Sequence, residues 1–284
     1  MDVGERARVI GQVLLERFTI QEQLGEGGMG VVYRAVDERG QPVAIKRLHA
    51  DVAQSPDLAA RFEREAQAHA MLSHPNIIGL HAVGLTDDGG LFFVLEYVDG
   101  HDLADELGHG PLPPARALML AKQMLSGLHH AHQFGLVHRD LKPENVLVRG
   151  DQVKLIDFGL VKMLSDVLGS EETQRLTRTG VIFGTPDYMA PEQMLGDEVD
   201  ARTDLYAFGI VLFEMLTGRR PYESDEVSEL WQAHLHAPVP TLASRCGPAH
   251  EDLDAIIETL MAKQRDDRFA TAMAARRALD SVVV

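Results

Sequence analysis

Two carboxylates, an amide and two cations lie close together near the middle of this 284-residue chain. The run His138-Arg139-Asp140-Leu141-Lys142-Pro143-Glu144-Asn145 is followed, twelve residues after Asn145, by Asp157-Phe158-Gly159. Far upstream, Gly25-Glu26-Gly27-Gly28-Met29-Gly30 has the spacing G-x-G-x-x-G. A dinucleotide fold needs such a cluster to open a helix, whereas the β-branched stretch Val31 to Val36 reads as a strand. A strand-glycine-strand hairpin can fold over a nucleotide, because small residues let backbone N–H groups approach phosphates closely. The same residues also suit a plain Gly-rich hairpin. Lys46 closes the apolar strand Val43-Ala44-Ile45, and Glu65, midway along a charged helix, can reach back to hold its ammonium beside phosphates. Taken alone, Glu65 reads as part of a solvated helix face.

Together these segments closely resemble the eukaryotic-type protein kinase family, whose H-R-D-L-x-x-x-N and D-F-G signatures they reproduce in full. Ala190-Pro191-Glu192 completes the set in the family's order, and the resemblance covers about residues 18–281. It implies an α+β, two-lobed protein kinase fold. A small five-stranded antiparallel β lobe with one helix would occupy about 18–96, a hinge about 96–100 and a large, mainly α-helical lobe about 101–281. The ATP cleft would lie between the lobes, and residues 1–17 would be an N-terminal extension. ATP and Mg2+ are the implied cofactors, with Mn2+ an alternative metal.

Phosphoryl transfer needs anions positioned and developing charge neutralised, so cations, carboxylates for Mg2+ and one hydroxyl-orienting base suffice. Carried over by position, Asp140 is that base, Lys142 steadies the transferred γ-phosphate, and Asn145 and Asp157 hold Mg2+ as hard oxygen ligands. Lys46, held by Glu65, grips the α- and β-phosphates under the Gly25, Glu26, Gly27, Gly28, Met29 and Gly30 loop. Leu24, Val32, Ala44 and Leu147 would form the adenine slot, with Leu95 at its rear and backbone groups of Glu96-Tyr97-Val98 as hydrogen-bond partners. Asp204 would accept backbone N–H bonds from the catalytic loop. Glu192 and Arg268 match the family's buried ion pair.

Lys142 and Glu144 resemble the serine/threonine branch, and Thr185 agrees, since its family counterpart bridges the catalytic Asp and Lys. The glycine loop and the Thr177-x-Thr179 pair look most like bacterial members. Ser165, Ser170, Thr173, Thr177 and Thr179 lie in the implied activation loop, where a phosphothreonine would find Arg139, Lys162 and Arg61. Autophosphorylation of Thr177 or Thr179 within a transient homodimer is therefore expected, alongside protein substrates bearing Ser or Thr. His69 stands where the family usually has an apolar residue, so its protonation would disfavour the active helix position. His129, His130 and His132 lack a completing carboxylate for a metal site, Trp231 anchors a helix, and Cys246 packs or sits idle. A pseudokinase and a small-molecule kinase are the competing readings. The complete polar set argues against the first, and Ala190-Pro191-Glu192 with its preceding loop against the second.

The elements that must position these groups follow from periodicity. Alternation predicts strands over Arg17 to Gln23, Val31 to Asp37, Pro42 to Leu48, Ile78 to Leu85 and Leu91 to Tyr97, with a helix from Ser55 to about Leu72. Helical periods follow at about 102–107, 114–134, 200–217, 226–236, 250–260 and 270–281, interrupted by strand pieces at Val146 to Val148 and Gln152 to Ile156. A net charge of −16 disfavours nucleic acid as a partner. A single cysteine excludes an intrachain disulfide and fits a reducing cytoplasm. No apolar run is long enough to span a bilayer.

Overall fold

The computed structural model describes residues 9–27, 30–48, 71–86, 90–158, 186–246 and 251–282. Gly28, Met29, Arg61, Glu65, His69, Gly159, Lys162, Ser165, Ser170, Thr173, Thr177, Thr179 and Thr185 lie outside these residues, as does nearly all of the helix expected after Ser55. The chain divides into two compact units. One contains the described residues up to Ser73 together with Ile78–Asp99, and the other His74–Ile77 and the described residues from Gly100 onward.

The first unit is an antiparallel sheet of β1 (Val13–Leu14), β2 (Phe18–Gly27), β3 (Gly30–Val36), β4 (Pro42–Leu48), β5 (Leu80–Leu85) and β6 (Leu91–Glu96), ordered β1-β2-β3-β4-β6-β5. The five expected strands are all present. A sixth, β1, lies in the stretch assigned from the resemblance to an extension; two residues are too few to show an alternation. Successive side chains point to opposite faces of a strand, so the register sorts this unit. Val31, Tyr33 and Ala35 of β3, Val43 and Ile45 of β4 and Phe92 and Val94 of β6 bury one face, joined by Phe18, Ile20, Val9 and Leu14. Cross-strand partners on the other face are Val32, Lys46 and Phe93, then Arg34, Ala44 and Leu95.

Two backbone features are specific to this sheet. A Cβ at Gly30 would stand 2.1 Å from the Arg47 carbonyl oxygen, so only glycine permits the β3-β4 approach there. The β1-β2 connection closes with Arg17 N–H donating to the Leu14 carbonyl at 3.1 Å, and its central residues Leu15 and Glu16 have φ of 51° and 54°. Left-handed backbone at an L residue costs about 1–2 kcal/mol.

In the second unit, β7 (His101–Asp102), β8 (Val146–Arg149) and β9 (Gln152–Leu155) form a three-stranded sheet. The helices are α1 (Leu103–Leu107), α2 (Pro114–Gln133), α3 (Pro191–Leu195), α4 (Ala201–Thr217), α5 (Val227–His236), α6 (Ala243–Cys246), α7 (Glu251–Leu260) and α8 (Ala272–Asp280). Asp102, expected as the first helical residue, is instead the cap of α1, its Oδ1 accepting from Asp105 N–H at 2.8 Å. Proline at the first turn starts α2, and Gly135 at φ 72° follows its end. Helix α4 is apolar around nearly its whole circumference and accordingly buried. A Cβ at Gly209 would stand 2.8 Å from Met261 Cγ, so this glycine lets α4 approach the end of α7. Asp204 is a carboxylate that this buried helix carries inward. No helix among the described residues is long and apolar enough to cross a membrane.

Candidate active site

The site in the second unit is built outward from Asp204, which is 1 % exposed. Its Oδ2 accepts from His138 N–H at 2.8 Å and from His132 Nε2 at 2.7 Å, and its Oδ1 accepts from Arg139 N–H at 2.9 Å. Burial pushes this carboxyl up, but the hydrogen bond and charge of His132, the charge of His138 and the backbone donor outweigh it, so it stays below the ordinary carboxylate range. The Arg139 carbonyl is held from the other side by Gln193 Nε2 at 2.9 Å. With both backbone polar groups bound, Arg139 keeps φ at 69°, a strained conformation that its surroundings must enforce.

That clamp sets the direction of the loop that follows. Asn145, 6 % exposed, donates from Nδ2 to the Asp140 carbonyl at 2.7 Å and to Asp140 Oδ2 at 3.2 Å. Lys142 Nζ lies 3.2 Å from the same Oδ2. Asn145 spends its amide N–H groups on Asp140, which turns its Oδ1, an acceptor, away from that residue. The Ile156 N–H donates to the Asn145 carbonyl at 3.0 Å, tying the loop to the strand end before Asp157. His138 Nε2 donates to the Ile156 carbonyl at 2.8 Å, and its ring lies 4.6 Å from that of Phe158. Asp157 is itself left-handed, with φ 63°.

Below this loop, Glu192 and Arg268 form a two-pronged pair at 2.7 and 2.8 Å, and Thr203 Oγ1 donates to Glu192 Oε1 at 2.7 Å. Burial raises the Glu192 carboxyl, but the hydrogen bonds and charge of Arg268 leave it lowered. The expected ion pair thus anchors the segment after Ala190-Pro191.

In the sheet unit, Lys46 is 8 % exposed and shares its face with Val32, Ala44 and Leu95. Those three are half-buried, unlike the sealed opposite face. Leu24 is 48 % exposed and lines a hollow with Ile10, Gln23, Gly25 and Tyr33. An added Cβ at Gly25 or Gly27 meets nothing within 4 Å. The Glu96 N–H donates to the Gly79 carbonyl at 2.8 Å.

The structure therefore brings Asp140, Lys142 and Asn145 together, places Asp157 at the end of the strand bonded to Asn145, and puts Lys46, Val32, Ala44 and Leu95 on one sheet face. Leu147 is half-buried in β8 of the helical unit. His132 and Gln193 were not expected at the site. His132 pairs with the Asp204 carboxylate at 2.7 Å. That partner lies 72 residues away, and the one available signal was that a buried Asp204 needs several donors. Trp231 sits half-buried on α5.

A sheet unit presenting a buried lysine and a helical unit presenting this Asp-Lys-Asn loop define a protein kinase. The chain belongs to the protein kinase domain family, which matches residues 18–279. It is 38% identical over 285 aligned positions to the serine/threonine-protein kinase Pkn3 of Myxococcus xanthus, an alignment covering 96% of this chain and 51% of that protein. It is 40% identical over 268 positions to the serine/threonine-protein kinase PknB of Mycolicibacterium smegmatis, covering 92% of this chain and 42% of that one. Among solved structures, the Mycobacterium tuberculosis PknI kinase domain matches with a TM-score of 0.73 at 27% identity, over 95% of this chain and 98% of that domain. The chain spans about half the length of the curated relatives it matches.

Proposed function

We propose that this chain transfers the γ-phosphate of ATP to serine or threonine hydroxyls of proteins. The observation that carries the reading is the convergence of Asn145 and Lys142 on the Asp140 carboxylate, on a loop clamped by Asp204. Asp140, held at that point, accepts a hydrogen bond from the acceptor hydroxyl and takes its proton as the phosphoryl group moves. Lys142, a cation beside the same oxygen, offsets negative charge on the transferred group. Asn145 Oδ1 and the Asp157 carboxylate are the hard oxygen donors that Mg2+ requires, and Mn2+ would accept the same set. A metal bound there would neutralise charge on the phosphate oxygens.

The sheet unit supports the nucleotide half of the proposal. Lys46 offers its ammonium to the α- and β-phosphates, and the open space beside Gly25 and Gly27 suits close approach of a phosphate to backbone N–H groups. Val32, Ala44 and Leu95 offer apolar surface to adenine; Leu147, Glu65, Met29, Gly28 and Glu26 stay in the proposal by family position. Regulation is proposed through Thr177 and Thr179, phosphorylated between two copies. Arg139 Nε–H is buried with no hydrogen-bond partner among the described residues, as a donor to a phosphate oxygen would be. With one cysteine and an ordinary polar composition, a reducing cytoplasm is the proposed setting.

Incubation with labelled ATP, Mg2+ and a generic basic acceptor protein tests the reading. Labelled serine or threonine, lost in Asp140→Asn, is expected. Nucleotide binding without any transfer would overturn it. Thr177→Ala/Thr179→Ala should lower the rate; unchanged rate and unchanged loop proteolysis would remove the regulatory part.

A further inference from the structure

The stretch Val9 to Leu14 runs antiparallel to β2 at the edge of the sheet as a strap. Val9 and Leu14 are 5 % and 6 % exposed, packed in the cluster of Phe18, Ile20, Tyr33, Ile45, Phe92 and Val94. Gly11 N–H donates to the Ile20 carbonyl at 2.8 Å, and Ile20 N–H to the Gln12 carbonyl at 3.0 Å. The link between strap and sheet is the turn at Leu15-Glu16. A turn with positive φ at both central residues is normally built from Gly, Asn or Asp; here it is built from a leucine and a glutamate, both exposed. Leu15 lies beside Gly84, where its Cδ2 stands 3.2 Å from the position a Cβ would take.

We propose that two copies of this chain exchange their straps, each residue 9–14 segment docking on the sheet of the other, with Leu15-Glu16 as the hinge. Extending the hinge returns both residues to the ordinary negative-φ region. Every contact of the strap is rebuilt unchanged, because the receiving surface is the same surface. Short connections under strain favour this form of association, and it needs no new interface to evolve. Apolar side chains at the seam supply a further drive: Ile10, Val13, Leu15 and Leu24 are 50 %, 54 %, 45 % and 48 % exposed. Ile10 and Leu24 also border the hollow that Tyr33 lines.

Two hinge variants of opposite sign test the proposal by light scattering after incubation at high concentration. Glu16→Pro cannot adopt positive φ, so it should strengthen dimerisation about tenfold or more; Leu15→Asn/Glu16→Gly suits the closed turn and should weaken it by a similar factor. Val13 pairs with Thr19 across the hairpin, so Val13→Cys/Thr19→Cys in a Cys246→Ser background reports where each strap lies. Oxidised dimers should run as a disulfide-linked pair on a non-reducing gel. A Glu16→Pro chain that stays monomeric at every concentration would overturn the exchange, as would dimers whose disulfide remains within one chain.

Discussion

The candidate site residues of the two units are positioned by different physics. In the helical unit, Asp140 owes its place to a polar network in which one buried carboxylate binds two backbone N–H groups and an imidazole. In the sheet unit, Lys46 owes its place to register, since pairing Val32 with Lys46 and Lys46 with Phe93 fixes the face on which the ammonium emerges. A polar network is brittle, because removing one member strands the others without partners. A register is spread over many apolar contacts, so single losses are graded. The two units should therefore answer mutation differently.

The sharpest way to break this contrast is Asp204→Ala. It leaves His132 and two backbone donors buried without their acceptor, and a loss of about 3–5 kcal/mol in stability is expected, read by denaturant unfolding together with loss of transfer. A variant that melts like the parent and retains activity would show that the loop holds itself. Next comes Lys46→Met, which keeps the apolar stem and removes the charge. Transfer should fall about 10²–10³-fold, while the melting temperature stays close to the parent's, since the sheet's sealed face is untouched. A large fall in stability would mean that Lys46 belongs to the frame.

Acid sharpens the contrast within the helical unit. His234 is fully buried, its Nδ1 3.0 Å from the Tyr206 hydroxyl, and burial with the nearby Lys263 charge lowers it to about 4. Its folded pKa lies below its unfolded value, so the unfolded chain takes up a proton first. Stability should therefore fall as pH drops from about 6.5 to about 4, by on the order of 3 kcal/mol from this residue. The lowered carboxyls of Asp204 and Glu192 add to the acid loss, their contribution declining as pH falls through the ordinary carboxylate range and gone once they are protonated in the folded chain. His234→Phe should flatten the upper part of the profile measured by urea unfolding, and an unchanged slope would remove His234 as its source. The smallest expected effect is Ile45→Val on the sealed face, about 0.5–1.5 kcal/mol by thermal melting, with transfer nearly unchanged. A steep loss of activity there would show the register to be as brittle as the network.

Much of this is legible in the sequence. Helices α2 and α4 start and stop within a residue or two of their periodic patterns, because Pro114, Gly135 and Gly218 punctuate them chemically, and α5 and α7 match as closely. The compact motifs were equally plain: Asp140, Lys142 and Asn145 meet within one short loop, so adjacency in sequence already implied adjacency in space. By contrast, β1 was invisible at two residues, and Asp102 looked helical because a cap and a first turn share the same composition.

What the sequence by itself determined was therefore local: which residues face water, where elements end, and which chemistry the central motifs can perform. Tertiary structure alone decided that His132 serves Asp204 across 72 residues, that Gln193 grips the Arg139 carbonyl across 54, and that Leu15 and Glu16 bend into a turn they do not favour. The physical reason is the same each time. A side-chain pattern records how much of a residue is buried, but the partner that satisfies a buried polar group, or compensates a strained turn, comes from a different part of the chain and leaves no mark on the local period.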